Sequence, residues 1–564
     1  MNQAPQSARS KLEIWGGLEC SIARIEDRII DQLARTGHYA RPEDLERIAD
    51  LGVRTLRFPI LWERHHGQPQ NWEATDLRMN SLRQLGIRPI VGLVHHGAGP
   101  FAGGLADPAF VEGLGHFARQ VAERYPWVDA YTPINEPLTT ARFSGLYGVW
   151  YPHGRSTPFF ARLLLSQCNG IRRAMKSVRE INPAAQLIQT EDIGKTHSTP
   201  RLAYQAALEN ERRWLTFDLL FGLLSPDSPA WKYLTSYGVT ETDLRSFCEE
   251  PCPPDVLGVN YYVTSERFID ERLDRYPPHS HGGNQREAYA DVTAVRVRAE
   301  GILGHAGILR EVWERYHRPI ALTEVQLACT RDEQLRWLVE ASQSCQSLAD
   351  EGVDIRALTV WSLFGASDWD SLMVEENGSY ENGAFDARSP TPRPTALAHA
   401  VRELAAGRTP RHPVLANDGW WRRDIRFEYP AVSAPKTGGA SRKLPAPAAD
   451  AKPLLIVGAH GVLGQAFQKL CRLRGLSTVA LSRAELDIRD ANALIRIIET
   501  MRPWAVINAS GYTRMDAAES DEETCFAINV RGPLLLAQAC AEHDAALATF
   551  SSDQVFDGAK GSPY

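Results

Sequence analysis

The chain has 564 residues, of which 43% are hydrophobic and 23% charged, with a formal net charge of −7 at pH 7. This composition is that of an ordinary soluble globular protein, and its acidic balance is not expected to recruit nucleic acid or an anionic membrane. The polar amino terminus and the lack of any apolar run of membrane-spanning length predict neither a secretory signal nor a membrane span. Nine cysteines without a zinc-binding spacing predict free thiols in a reducing cytoplasm and no metal site.

A segment rich in Pro, Ala, Gly and Ser divides the sequence. Residues 431–452 show no apolar period, which predicts a semi-flexible linker because such a segment cannot bury enough surface to fold. We therefore predict one domain over residues 1–430 and a second over residues 453–564.

In the first domain, eight short apolar runs alternate with helical patterns, which predicts a (β/α)8 barrel. The predicted strands are Leu12–Leu18, Thr55–Pro59, Arg88–His95, Ala130–Asn135, Gln186–Thr190, Val256–Tyr261, Pro319–Glu324 and Ala357–Leu363. Helical patterns include Pro42–Leu51, Pro108–Arg124, Ala161–Ile181 and Arg331–Gly352. The alternative is an open doubly wound sheet, but the glycine-rich phosphate turn expected after its first strand is missing.

Two glutamates stand at the carboxyl ends of predicted strands. Glu136 follows strand four within Asn135-Glu136-Pro137, and Glu324 ends strand seven. Strand ends of this kind form the barrel face that carries chemistry. Hydrolysis of a glycosidic bond needs two carboxyl groups on either side of the anomeric carbon. The pattern predicts a glycosidase in which one glutamate protonates the leaving oxygen and the other attacks or stabilises C1, and a carboxyl separation of about 5–5.5 Å would make it retaining. Asn135 can donate to the 2-hydroxyl of the sugar.

The first domain resembles glycoside hydrolase family 1, the β-glucosidase group. Further matching segments, in chain order, are Leu56-Arg57-Phe58, Leu93-Val94-His95, Leu257 to Tyr262, and Trp361 to Trp369. The resemblance implies a retaining enzyme in which Glu136 is the acid/base and Glu324 is the nucleophile. It also implies that Arg57 and Tyr262 support the nucleophile. It implies that the substrate-binding residues include His95, Asn260, Trp361, Asp368 and Trp369, with core packing as the alternative for the two tryptophans.

The sequence departs from the family pattern around the sugar pocket. Glu19 stands where the family has Gln, His96 replaces a Trp, and Asp368 replaces a Glu. The resemblance therefore does not imply specificity for glucose. His95 and His96 are consecutive, so a strand would point them to opposite faces and they would not easily share a metal ion. We interpret Glu191 and Asp192, after strand five, as a solvated rim.

The second domain begins with a buried strand that turns through glycines into a helix. The strand is Leu454–Val457, and the glycines are Gly458, Gly461 and Gly464. Glycines let a pyrophosphate approach the positive amino terminus of such a helix. Further predicted strands are Thr478–Leu481, Ala505–Asn508 and Leu547–Ser551. This pattern predicts a partial Rossmann-like doubly wound domain.

This second domain resembles dTDP-4-dehydrorhamnose reductases. The matching segments are Ser482 to Ile488, Val506 to Ala509 with Tyr512-Thr513, and Ser551 to Gly558. The resemblance implies NADP or NAD at a site that includes Arg483, Asp487, Asn508 and Ser552, and Arg483 would suit the 2′-phosphate of NADP. That family places a Tyr-x3-Lys pair beyond Phe-Asp-Gly, whereas this chain stops at Tyr564. We therefore expect no reductase activity from this segment.

The leading hypothesis is a hydrolase that acts on a small β-linked carbohydrate and needs no cofactor for that reaction. One alternative is a transglycosidase in glycan or deoxysugar assembly. Another is a non-catalytic carbohydrate-binding protein. The identity of the sugar and the oligomeric state do not follow from the sequence.

Overall fold

The computed structural model describes residues 12–433, 452–552, 555–556 and 559–560. Most of the predicted linker lies outside the described residues, as do Asp553, Gln554, Asp557 and Gly558 of the reductase-like motif. The chain separates into two compact units. Unit 1 comprises Met1–Pro410 and Arg426–Gly439, and unit 2 comprises Arg411–Ile425 and Ala440–Tyr564.

Unit 1 contains a closed barrel of eight parallel strands, as predicted. The strands are β1 (Glu13–Gly17), β2 (Thr55–Pro59), β3 (Arg88–His95), β4 (Ala130–Asn135), β5 (Gln186–Asp192), β6 (Val256–Asn260), β7 (Ile320–Val325) and β8 (Ile355–Val360). Each pairs with the next in chain order, and β8 pairs with β1. Every residue of β4, β6 and β7 is buried, because such strands contact side chains inside the barrel and helices outside it.

Helices surround the barrel. Those of unit 1 are Gln32–Arg35, Asp44–Asp50, Trp62–His65, Gln70–Gln84, Phe110–Arg124, Pro137–Ala141, Thr157–Ile181, Ala203–Arg212, Leu215–Phe221, Pro229–Ser236, Glu241–Glu249, Gly304–Tyr316, Arg331–Asp350 and Ala396–Ala405. The longest, Thr157–Ile181, begins where the Ser156 side chain accepts a hydrogen bond from the backbone of Phe159, an N-cap. None of the described helices is long and apolar enough to cross a membrane.

Smaller sheets lie outside the barrel. One has four strands, Lys195–Ser198, Glu266–Asp270, His281–Gly283 and Ala288–Thr293. Three two-stranded sheets pair Ile22–Ile25 with Arg28–Asp31, Ala366–Ser367 with Tyr380–Glu381, and Phe385–Asp386 with Arg393–Pro394.

Unit 2 contains a parallel sheet of four strands in the order β10-β9-β11-β12, which is Rossmann-like as predicted. The strands are β9 (Leu454–Val457), β10 (Thr478–Leu481), β11 (Ala505–Asn508) and β12 (Ala546–Thr549). Its helices are Val462–Leu473, Ala491–Met501, Met515–Ala518, Glu522–Phe526 and Gly532–Glu542.

One segment upstream of the predicted linker belongs to unit 2. Arg411–Ile425 was expected in the first domain, within residues 1–430, but groups with the Rossmann-like unit. The Arg423 guanidinium donates to the backbone oxygen of Leu473 at 2.9 Å. The rings of His412 and Trp504 lie 5.7 Å apart between centroids. The boundary predicted from composition therefore differs from the observed grouping in this segment.

Candidate active site

Glu136 and Glu324 lie at the carboxyl end of the barrel, at β4 and β7 respectively. Glu136 follows β4 and precedes the helix Pro137–Ala141, and both carboxylates are buried. Asn260, at the end of β6, lies between them. Its amide nitrogen donates to Glu136 Oε1 at 2.5 Å, and its amide oxygen accepts from Thr323 Oγ1 at 2.7 Å. One side chain thus connects the first glutamate to the residue that precedes the second.

Glu324 has two strong hydrogen-bond donors. Arg57 donates to Glu324 Oε1 at 2.8 Å, and the hydroxyl of Tyr262 donates to Oε2. Burial raises the pKa of Glu324, while the Arg57 charge and these hydrogen bonds act in the opposite direction. Hydrogen bonds and positive charge favour an ionised carboxylate, so these contacts oppose the effect of burial on Glu324.

Glu136 has a different environment. Burial raises its pKa well above the ordinary value, and the negative charge of Glu324 raises it further. One ring nitrogen, His96 Nε2, lies 3.7 Å from Glu136 Oε2, and burial lowers the pKa of His96 to about 3. The imidazole is therefore neutral and does not stabilise a carboxylate as a cation would. The acid and the nucleophile of glycoside cleavage need environments that differ in this way.

Asn135 is fixed in one orientation. Its amide oxygen accepts from Arg57 Nη2 and from Thr190 Oγ1, each at 2.7 Å. Its amide nitrogen therefore faces the two histidines, at 3.2 Å from His95 Nε2 and 3.3 Å from His96 Nε2. Thr190 was missed from the sequence, although its position near the end of predicted strand five was a usable signal.

The two histidines converge on the same site, and the expectation that they point to opposite faces was wrong. β3 ends at His95, and His96 has a φ of +54°, so the alternation of a strand no longer applies to it. The His95 ring stacks on Trp361, with centroids 5.3 Å apart. The His96 ring packs against Trp150 and Trp369, at 5.1 and 5.7 Å. Trp150 lies in a loop, and nothing in its local sequence indicated that it would be part of the site.

Glu19 joins the site through Trp361. Its carboxylate accepts from the Ser21 backbone at 2.9 Å, from Ser21 Oγ at 2.5 Å and from Trp361 Nε1 at 3.2 Å. Burial nevertheless raises the pKa of Glu19 to about 7. This carboxyl group can therefore change its protonation state near neutral pH.

Asp368 is already paired. Arg35 donates to its carboxylate, and so does the backbone nitrogen of Ser379, at 3.1 Å. Arg35 also forms an ion pair of 2.9 Å with Glu376. The family resemblance implied that Asp368 binds the sugar. It did not indicate Arg35, which is distant along the chain.

Glu191 is fully buried, and its interpretation as part of a solvated rim was wrong. It accepts from the backbone nitrogens of Leu138 and Thr139 at 2.9 and 3.3 Å, and from Thr216 Oγ1 at 2.7 Å. These contacts satisfy free donors at the start of the helix that follows Glu136. Glu191 therefore fixes the backbone that carries Glu136, while Asp192 accepts from Ser265 Oγ at 2.7 Å. Within the described residues, no group of three or more His, Cys, Asp or Glu side chains could hold a metal ion.

In unit 2, the predicted glycine turn joins β9 to the helix Val462–Leu473. Gly458 has a φ of +89°, and a Cβ there would lie 2.8 Å from the backbone of Ala509. A Cβ on Gly464 would lie 2.2 Å from the oxygen of Gly458, and Gly461 is the N-cap of the helix. Glycine is therefore required where β9 meets the helix, as in dinucleotide-binding turns.

The other predicted cofactor-binding residues of unit 2 make separate sets of contacts. Asp487 forms an ion pair of 2.6 Å with Arg489, whose hydrogen bonds lower the pKa of Asp487 to about 2. Arg483 lies 3.8 Å from Asp487 and is largely exposed. Asn508 is buried and accepts from the backbone of Ser510 at 3.2 Å, whereas Ser552 is exposed.

Comparison with known proteins separates the same two parts of the chain. The sequence model of glycosyl hydrolase family 1 matches residues 11–380. The chain is also similar to solved structures of the beta-glucosidase from Thermotoga maritima. For the complexes with noeuromycin and azafagomine the TM-score is 0.58 and the identity 18%. The first alignment covers 73% of this chain and 100% of that chain, and the second covers 72% and 99%. At this identity the likeness shows the fold alone.

The model described as RmlD substrate binding domain matches residues 452–564. The chain is 41% identical over 110 residues to the dTDP-4-dehydrorhamnose reductase of Streptomyces griseus, which is 20% of this chain and 36% of that protein. It is 40% identical over 112 residues to the reductase of Aggregatibacter actinomycetemcomitans, which is 20% of this chain and 38% of that protein. The chain thus spans a little over a third of the length of these curated relatives.

Proposed function

Because the chain belongs to glycosyl hydrolase family 1, we propose that its barrel hydrolyses β-linked glycosides with net retention of configuration. The observation that carries this proposal is that two buried carboxyl groups at one end of the barrel have different hydrogen-bond partners and electrostatic environments. Glu324 receives hydrogen bonds from Arg57 and Tyr262, whereas Glu136 has a strongly raised pKa.

In the first step, a carboxylate oxygen of Glu324 attacks C1 of the sugar. The new bond from Glu324 to C1 forms as the bond from C1 to the leaving oxygen breaks, and Glu136 gives its proton to that oxygen. In the second step, Glu136 takes a proton from water, the water oxygen attacks C1, and Glu324 leaves as a carboxylate. Two inversions at C1 give net retention.

The surrounding side chains hold the reacting groups and the sugar. Arg57 and Tyr262 stabilise Glu324 as an ion, and Asn135 donates to the 2-hydroxyl of the sugar. The remaining proposed sugar contacts are Glu19, His95, His96, Asn260, Trp361, Asp368 and Trp369.

The anomer released first tests this proposal. A screen of nitrophenyl β-glucoside, β-galactoside, β-fucoside, β-mannoside and β-xyloside identifies a substrate, and proton NMR follows the first product. We expect the β-anomer first. The α-anomer first would contradict retention, and binding without turnover or labelling by 2-deoxy-2-fluoro glycosides would favour the sugar-binding alternative. Titration with an acceptor sugar separates hydrolysis from transglycosylation.

We expect the affinity of the sugar pocket to depend on the proton carried by Glu19. A protonated carboxyl can donate and accept, as the Gln of the family does, but a carboxylate only accepts. Because the pKa of Glu19 is raised to about 7, KM should rise as the pH increases through about 7. In Glu19→Gln this rise should disappear, because the amide keeps its donor at every pH. Separate pH profiles of KM and kcat check this, and an identical KM profile in the variant would contradict it.

For unit 2, we propose a dinucleotide site at the turn of Gly458, Gly461 and Gly464. A Cβ at Gly458 or Gly464 would meet backbone atoms, which fits a turn shaped for close approach of a pyrophosphate. Arg483, Asp487, Asn508 and Ser552 would complete the contacts, with Arg483 favouring NADP over NAD. When bound, the cofactor would supply a hydride.

A further inference from the structure

His96 brings a hydrogen-bond acceptor to the reacting end of the pocket. The Arg57 and Thr190 donors fix the amide oxygen of Asn135, so the amide nitrogen is the atom that faces His96. The amide N–H therefore donates, and His96 Nε2 must accept with its lone pair at 3.3 Å.

The other ring nitrogen of His96 agrees with this assignment. His96 Nδ1 lies 3.0 Å from Thr140 Oγ1, so the proton that Nε2 lacks has a partner at Nδ1. Burial holds the pKa of His96 at about 3, and the ring therefore stays neutral in the range where an enzyme of this kind works. Trp150 and Trp369 fix the ring on its sides.

The position of this acceptor relative to the reacting atoms indicates what it contacts. Asn135 directly precedes Glu136, and the Arg57 that binds its amide oxygen also binds Glu324. A sugar whose C1 lies between the two glutamates places the substituent of C2 beside Asn135. His96 Nε2 lies next to that amide and 3.7 Å from Glu136 Oε2.

We propose that His96 is a specificity-determining residue that accepts a hydrogen bond from the 2-hydroxyl of the glycone while Asn135 donates to the same hydroxyl. This inference rests on the proposed glycosidase function. The 3.3 Å contact between Asn135 and His96 opens, and the hydroxyl replaces it with two hydrogen bonds. The substrate class is thus β-glycosides with a free hydroxyl at C2, and 2-deoxy sugars lose this contact.

Kinetics with paired substrates tests the assignment. His96→Phe removes the acceptor and keeps a flat ring, so kcat/KM for the nitrophenyl β-glycoside found in the screen should fall about 10-fold, as for one lost hydrogen bond. The value for its 2-deoxy counterpart should not change. His96→Gln, whose amide oxygen can accept, should recover most of the loss. Trp150→Phe is the matched control, because it alters packing against the ring without removing the acceptor and should affect both substrates equally.

Binding separates this proposal from the proposed function. Calorimetry with the free sugars of the screen and their 2-deoxy counterparts should show a preference for the sugar with a 2-hydroxyl in the wild type that shrinks about 10-fold in His96→Phe. An equal loss for both substrates or both sugars would mean that His96 only packs the pocket and would overturn its role. A preference that depends on His96 without turnover of any glycoside would instead overturn the glycosidase function and leave the role of His96 standing.

Discussion

Glu324→Gly should lower the turnover of aryl β-glycosides by a factor on the order of 10⁵, because the covalent intermediate can no longer form. Azide should restore turnover, since the space left by the side chain admits a small anion on the same face of the sugar. The product should be the α-glycosyl azide, formed by a single inversion. Product NMR and the azide dependence of kcat check this expectation.

A surface glutamate provides the matched control for this experiment. Glu241 is largely exposed on a helix of the same unit, so Glu241→Gly should keep nearly full activity and should not respond to azide. Thermal unfolding of both variants shows whether either has lost its fold. A Glu324→Gly variant with unchanged activity, or one that forms the β-glycosyl azide, would rule out Glu324 as the nucleophile.

Glu136→Ala should lose a factor of about 10²–10⁴ in kcat, the range of general acid/base catalysis. The loss should be greatest for poor leaving groups, which need the proton, and small for the first step with a dinitrophenyl leaving group. Azide should again increase turnover, but here it replaces water in the second step and the product should be the β-glycosyl azide. The opposite anomers from the two variants distinguish the two roles.

The pH profile provides a second readout for Glu136. The first step needs Glu136 protonated, so activity is present below its pKa and is lost as the pH rises through it. Burial and the charge of Glu324 raise that pKa. The basic limb of the profile, where activity falls with rising pH, should therefore lie well above the ordinary pKa range of a glutamate. The limb should be absent in Glu136→Ala. Its persistence there, or one anomer from both variants, would contradict the assignment.

The barrel strands could be predicted from the sequence because each depends on a short, local apolar pattern. The predicted bounds of β2, β3 and β4 coincide with those observed, and the other barrel strands differ by three residues or fewer at an end. The positions of Glu136 and Glu324 at the carboxyl ends of β4 and β7 could be predicted from the same pattern, because that end of a barrel is the face that carries chemistry.

Features that depend on distant segments could not be predicted. Arg35 meets Asp368, and Thr216 meets Glu191, through contacts between residues far apart in the chain. The predicted direction of the His96 side chain was wrong because His96 follows the strand and has a left-handed backbone conformation. The prediction had assumed that side chains alternate between the two faces, as they do within a strand. Residues of this kind shape the proposed sugar pocket, so its specificity is harder to predict from the sequence than the positions of the two glutamates.

The grouping of Arg411–Ile425 with unit 2 makes that unit discontinuous in the chain. During synthesis this segment leaves the ribosome before β9 and the helix Val462–Leu473 exist, so its partners Leu473 and Trp504 arrive later. A protein fragment that starts at residue 452 lacks the segment altogether. Its Arg423 contact would be missing, and the stability of such a fragment would understate that of the unit within the whole chain.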